Sequence, residues 1–155
     1  MFFKFPSTPY IETDINIQRN DKILSQSEVK NILGKPVTIE EKIDGANLGI
    51  FFTANGEIRL QNRGSYLMKP FEGQWKSLNN WINCHEEKIF DVLMDEFILY
   101  GEWCYAKHSV YYDNLPDWFI GFDIFDIKKR RFLSVQQRNF MLNQMNVKIV
   151  PELGF

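Results

Sequence analysis

The segment Glu40-Glu41-Lys42-Ile43-Asp44-Gly45-Ala46-Asn47 constrains this chain more than any other. An apolar-leaning run, residues 37–39, enters it, and a β-forming run, Leu48-Gly49-Ile50-Phe51-Phe52, leaves it. The pattern predicts that Lys42 lies near the end of one strand, in a turn permitted by Gly45, ahead of a second strand. One amine is then held on a rigid scaffold with carboxylates on both sides. A free lysine has a pKa of about 10.4 and is protonated at neutral pH. To serve as a nucleophile it must shed that proton, through desolvation or through nearby cations such as a metal or basic groups.

The rest of the chain reads as mixed α and β. Pro6 and Pro9 keep residues 1–22 irregular. Ser25 and Glu28 form a capping box, Val29, Ile32 and Leu33 mark a helical face, and Gly34 with Pro36 stops that helix. Ala54-Asn55-Gly56 turns the chain into a strand over residues 57–61. Residues 74–94 are helical in two pieces, striped by Trp75, Leu78, Trp81 and Ile82, then by Ile89, Phe90, Leu93 and Met94. Strands follow over residues 97–102 and 118–126, separated by a long loop, residues 106–117. Lys128-Lys129-Arg130-Arg131 is a basic turn, either an exposed turn or a contact for a nucleic-acid backbone. Ser134 and Gln137 cap a helix to about Met145, and residues 147–150 form a last strand. Hairpins without strict βαβ alternation predict an α+β fold with mainly antiparallel sheet.

Composition sets further bounds. At 155 residues the chain makes one domain with a real core. The formal charge of −2 argues against a dedicated duplex-binding domain, so nucleic-acid contact would come from local patches, a bound metal or further chain. Cys84 and Cys104, twenty apart, lack metal-ligand spacing and read as reduced thiols of a cytoplasmic compartment. Residues 1–6 carry no signal-peptide pattern, and no apolar run reaches bilayer length, so no membrane partner is expected. Asp123 and Asp126 make no metal site by spacing, and two histidines, His85 and His108, are too few to favour a Ser/His/Asp arrangement.

Three more stretches follow Lys42 in order. Arg63, 21 residues on, lies at the far end of the hairpin that turns at Asn55-Gly56, so it returns close to the hairpin's start. Tyr100-Gly101-Glu102-Trp103 ends an apolar strand in a carboxylate that needs a partner. Phe119-Ile120-Gly121-Phe122-Asp123-Ile124-Phe125-Asp126 places Phe122 as either a core residue or a stacking platform. Beyond Glu102, Lys107, His108 and Ser109 either meet a phosphate or bond their own loop.

Lys42-x-Asp44-Gly45 resembles motif I of the covalent nucleotidyltransferases, which comprise ATP-dependent DNA ligases, RNA ligases and mRNA capping enzymes. The Tyr100 and Phe119 stretches resemble motifs III and IIIa. Asn47, and the tail Val150-Pro151-Glu152-Leu153-Gly154, are similar to the RNA ligase family in its phage double-strand and RNA-editing branch. The resemblance implies that Lys42 attacks the α-phosphate of ATP, with Mg2+ (or Mn2+) neutralising the phosphates, and carries AMP for transfer to an RNA or DNA 5′-phosphate end. It implies that Phe122 stacks on adenine, Glu102 and Arg63 hold the ribose, and Glu41 borders the adenine through its main chain. Asp44 and Asn47 would serve the later steps, with Lys107 and His108 as further nucleic-acid contacts; no residue is assigned to a metal.

The resemblance covers the chain but only the first part of the family's catalytic, ATP-grasp-like domain. No counterpart of motif IV, whose glutamate serves the metal, or of motif V, whose lysines meet the α-phosphate, follows the tail. The expectation is a single C-terminally truncated domain over residues 1–155. It is a shortened gene product or piece, a domain completed by self-association or a second polypeptide, or a homologue that binds nucleotide or RNA without catalysis.

Overall fold

A computed structural model describes residues 2–11 and 22–154. Met1 and residues 12–21, part of the stretch expected to be irregular, lie outside the described residues. Helix α1 (Gln26–Leu33) starts at Ser25, whose Oγ accepts from the Glu28 N–H while the Glu28 carboxylate accepts from Ser25. After it come β1 (Ile39–Glu40), β2 (Ala46–Phe52), β3 (Ile58–Gln61), a 3-10 turn (Gly73–Trp75) and α2 (Leu78–Leu93). Then come β4 (Phe97–Trp103), β5 (Phe119–Asp126), β6 (Arg131–Phe132), α3 (Val135–Gln144), β7 (Lys148–Ile149) and β8 (Glu152–Gly154). The α+β class with mainly antiparallel sheet is the one expected.

The main sheet runs β3-β2-β4-β5-β6, all antiparallel, and β7 adds in parallel to β5. Alternation divides it into two faces. Ala46, Leu48, Ile50, Phe52, Leu99, Trp103, Phe119 and Ile124 pack with α2 and α3 in the main core. The other face carries Phe51, Ile98, Tyr100 and Phe125, covered by Phe3 and Phe5 of the N-terminal segment. The Tyr100 hydroxyl and Gln61 Nε2 both donate to the Phe3 carbonyl, at 2.6 Å each. This segment lacks regular structure, yet it is fastened across the sheet.

Three expectations need correction. The helical stretch is one helix of 16 residues after the short 3-10 turn, not two pieces. Leu78, Ile82, Ile89 and Leu93 recur at steps of four, seven and four, so one buried stripe crosses the charged interval between them. Phe90 and Met94, placed on that stripe from the sequence, are 39% and 54% exposed. The strand before Lys42 spans two residues only, and it pairs with β8 rather than β2. Lys42 lies two residues past that strand, in the connection to β2 as expected, and the tail supplies the strand's partner.

Gly101 leaves no room for a side chain between β4 and β5. A Cβ there would stand 2.4 Å from the Phe119 ring and 2.5 Å from the Ile120 carbonyl. Gly101→Ala should cost about 3 kcal/mol or more, as overpacked core sites do. Gly64→Ala, whose Cβ meets nothing closer than 3.8 Å, should stay near wild type. Urea denaturation of both variants checks this, and equal midpoints would refute it.

Candidate active site

Residues 41–44 carry Lys42 across one end of the sheet. Ile43 is buried among Cys104, Ile120 and Val150, which anchors the connection, while Lys42 beside it is exposed. Glu41 is half-buried, and its N–H donates to the Pro151 carbonyl at 2.9 Å, so the tail holds the residue before the lysine. Gly45 is required for proximity rather than for a turn. Its φ is not positive, but a Cβ would lie 2.8 Å from the Trp103 carbonyl and 3.2 Å from the Glu102 Cβ. Only glycine lets the lysine-bearing connection rest directly on the end of β4.

The hairpin β2–β3 brings Arg63 back as its spacing requires. Gln61 pairs with Gly49, and Asn62 then closes a tight turn in which its Oδ1 accepts from the Gly64 and Ser65 N–H groups, both at 2.8 Å. Asn47 pairs across β2–β4 with Glu102. It is buried, and its Nδ2 has no hydrogen-bond partner among the described residues, as is true of Gln61 Oε1. Unpaired buried polar atoms are costly and mark positions that a ligand or water completes.

Glu102 is the electrostatic centre. Burial pushes its carboxyl up to about 7, and the Asp44 carboxylate adds to that push. The Lys42 ammonium, the Arg63 guanidinium and the Gly45 N–H oppose it. Lys42, Asp44, Arg63 and Glu102 therefore share one field.

Phe122 owes its position to a bulge. Tyr100 pairs with Asp123 and Gly101 with Gly121, leaving Phe122 as the extra residue of β5. It is half-buried, with the Phe5 ring edge-on at 5.0 Å, and its carbonyl accepts from Arg138 Nη1 at 2.6 Å. Arg138, itself buried, also pairs through both Nη atoms with the Glu40 carboxylate. Asp123 beside the bulge is pushed up to about 6, chiefly by burial, with Arg138 opposing and Glu40 adding.

Asp44 faces the loop between β4 and β5. Its Oδ2 accepts from the Ser109 and Val110 N–H groups at 2.7 and 2.9 Å, and its own N–H donates to the Tyr112 hydroxyl at 2.8 Å. The Val110 N–H, helped by Ser109 and His108 against partial burial, holds this carboxyl below the usual range. Lys107 and His108 are exposed on that loop, and His108 Nε2 lies 3.0 Å from Gln74 Oε1. Asp126 closes the basic turn, accepting from the Lys129 N–H at 2.7 Å and from its Nζ at 3.0 Å. Among the described residues no group of three His, Cys, Asp or Glu side chains could hold a metal. Among the described residues no helix is long and apolar enough to cross a membrane.

Sequence reasoning missed Phe5, Lys4 and Lys22. A polar cavity of about 540 Å3 is lined by Lys4, Phe5, Lys22, Lys42 and Arg63 with other residues of the N-terminal segment. The strict alternation Phe3-Lys4-Phe5 was the available signal, since it puts two rings on one side and a cation on the other. A larger hollow, about 650 Å3, lies between the β3 edge and α2, away from the lysine.

The family model for RNA ligase matches residues 35–155, and the chain belongs to that family. No curated protein matches the sequence. Among solved structures, the Naegleria gruberi RNA ligase with ATP and Mn is 22% identical at a TM-score of 0.58, over 75% of this chain and 36% of that one. An archaeal ATP-dependent RNA ligase is 21% identical at 0.59, over 76% and 31%. A further Naegleria gruberi RNA ligase structure with ATP and Mn aligns over 94% of this chain and 48% of its own, at 19% identity and a TM-score of 0.57. At these identities the likeness is one of fold, and the chain spans less than half the length of these neighbours.

The Glu102 carboxyl gives a pH signature. Folding raises it from the ordinary 4.5 to about 7, so the folded state binds more protons in that window. Unfolding free energy therefore falls as pH rises from 4.5 to about 7, with Asp123 acting in the same sense up to about 6. Glu102→Gln should flatten that fall. Chemical denaturation across the window checks it, and a slope unchanged from wild type would refute the assignment.

Proposed function

We propose that this chain is the adenylylation module of an ATP-dependent RNA ligase. The observation that carries the reading is the shared field of Lys42, Arg63 and Glu102 beside a half-buried Phe122, in a chain of the RNA ligase family. The Lys42 ammonium first yields its proton to solvent. Its nitrogen lone pair then forms a bond to the α-phosphorus of ATP. The bond from that phosphorus to the bridging oxygen breaks, and pyrophosphate leaves with the electron pair. Lysyl-AMP remains, for transfer to the 5′-phosphate of an RNA or DNA end.

In this reading Phe122 stacks on the base, a contact worth about 1 to 3 kcal/mol and tolerant of base identity. Arg63 and Glu102 hold the ribose, and the main chain of Glu41 borders the base. The unpaired Asn47 amide supplies a donor to the same cleft. Lys107 and His108 lie outward, where a nucleic-acid strand would pass. Mg2+ or Mn2+ arriving with ATP supplies charge neutralisation at the phosphates.

Intact-protein mass spectrometry after incubation with ATP and Mg2+ tests the chemistry. Wild type should gain the mass of one AMP and Lys42→Ala should gain none. An adduct on Lys42→Ala would overturn the assignment, whereas saturable ATP binding with no adduct in wild type would favour a binding module. Calorimetry of Phe122→Ala should show AMP affinity weakened by the stacking contribution. Unchanged affinity there would remove Phe122 from the site.

A further inference from the structure

The polar cavity beside Lys42 is a concentrated cation site in an acidic chain. The sequence has 18 basic against 20 acidic residues, yet the cavity lining holds three lysines and an arginine and, among the described residues, no carboxylate. Among the described residues none of Lys4, Lys22, Lys42 and Arg63 is in an ion pair. Four cations around one hollow of about 540 Å3 make a surface that attracts an anion. Ser7 and Thr8 line the same space.

The backbone holds this arrangement in place. Phe3 is fixed by the Gln61 and Tyr100 hydrogen bonds, and Phe5 packs against Tyr100 and Phe122, so Lys4 is pinned between two anchored residues. Lys22 is brought to the same segment by a backbone clamp. The Tyr10 N–H donates to the Lys22 carbonyl and the Leu24 N–H to the Tyr10 carbonyl, both at 2.8 Å.

We infer that Lys4 and Lys22 form the subsite for the two terminal phosphates of a nucleoside triphosphate, the part that leaves as pyrophosphate. The inference rests on the reading above, in which Lys42 meets the α-phosphate. Lys42, which that reading sets at the α-phosphate, lines the same cavity as Lys4 and Lys22, so phosphates beyond the α-position have that space beside them. In-line displacement requires the leaving group to be oriented and its charge to be met, and phosphoryl transfer depends mainly on those two effects. Lys4 and Lys22 are positioning residues for that group.

The test is calorimetric titration of the full chain with inorganic pyrophosphate and, separately, with AMP. The variants are Lys4→Gln, Lys22→Gln, their double, and Lys128→Gln, which removes a charge at the far end of β5. The double variant should bind pyrophosphate at least about tenfold more weakly, with AMP affinity unchanged and Lys128→Gln like wild type. Unchanged pyrophosphate affinity in the double variant overturns the inference, as does an equal loss in Lys128→Gln or an equal loss of AMP binding. A 5′-phosphorylated RNA oligonucleotide that alone loses affinity would assign the lysines to the nucleic-acid end and also overturn it. None of these measurements needs lysyl-AMP to form, so this inference and the adenylylation reading fail separately.

Discussion

The buried guanidinium of Arg138 joins the two halves of the candidate site. It grips the Glu40 carboxylate, two residues before Lys42, and it donates to the carbonyl of Phe122 in the β5 bulge. Asn139 Oδ1 takes two of its remaining N–H groups, so little of the fork is left unsatisfied. A buried charge is tolerable only when paired and hydrogen-bonded in this way, and removing one partner typically costs about 3 to 5 kcal/mol. The β1–β8 ribbon is too short to fix the lysine connection by itself, since β1 has two residues and β8 three. The guanidinium supplies the tie, and Gly45 on the end of β4 supplies the contact surface.

The two faces of the main sheet divide stability from chemistry. One face is dry and is packed by two helices through Leu48, Ile50, Leu99 and Trp103. The other mixes aromatic rings with polar atoms whose bonding is incomplete, at Asn47 and Gln61. A sheet built only for stability would not leave such atoms buried and unpaired. Local departures of this kind cluster where function competes with packing. Here they lie on the face that also bears Glu102.

Much of this was legible in the sequence because it is local. Both capping boxes, at Ser25 and Ser134, depend on contacts three residues apart, and both form as read. Strands β2 to β5 follow from runs of β-forming and apolar residues and from the turn at Asn55-Gly56. The return of Arg63 toward Lys42 follows from the length of one hairpin. Long-range pairing was not legible. Nothing near Ile39 says that its partner is Gly154, and no local pattern announces that Phe122 is the extra residue of a bulge. Asp44 was read from motif likeness alone, yet its carboxylate is engaged by backbone N–H groups 65 and 66 residues away.

In the proposed reading, the charge pattern of the cleft resolves a conflict that any anion site with an acidic residue faces. A carboxylate among phosphates repels them, yet a site of this chemistry has use for an acceptor. Glu102 stands in the sheet, where burial keeps its proton on up to about 7, while Lys42 and Arg63 stand at the exposed rim. An approaching phosphate adds negative charge near Glu102 and so favours its protonated form further. Protonated, the carboxyl no longer opposes the anion and keeps an oxygen free to accept a hydrogen bond. The net charge of −2 is thus no guide to this surface, because the acidic group that matters is the one the fold has partly neutralised.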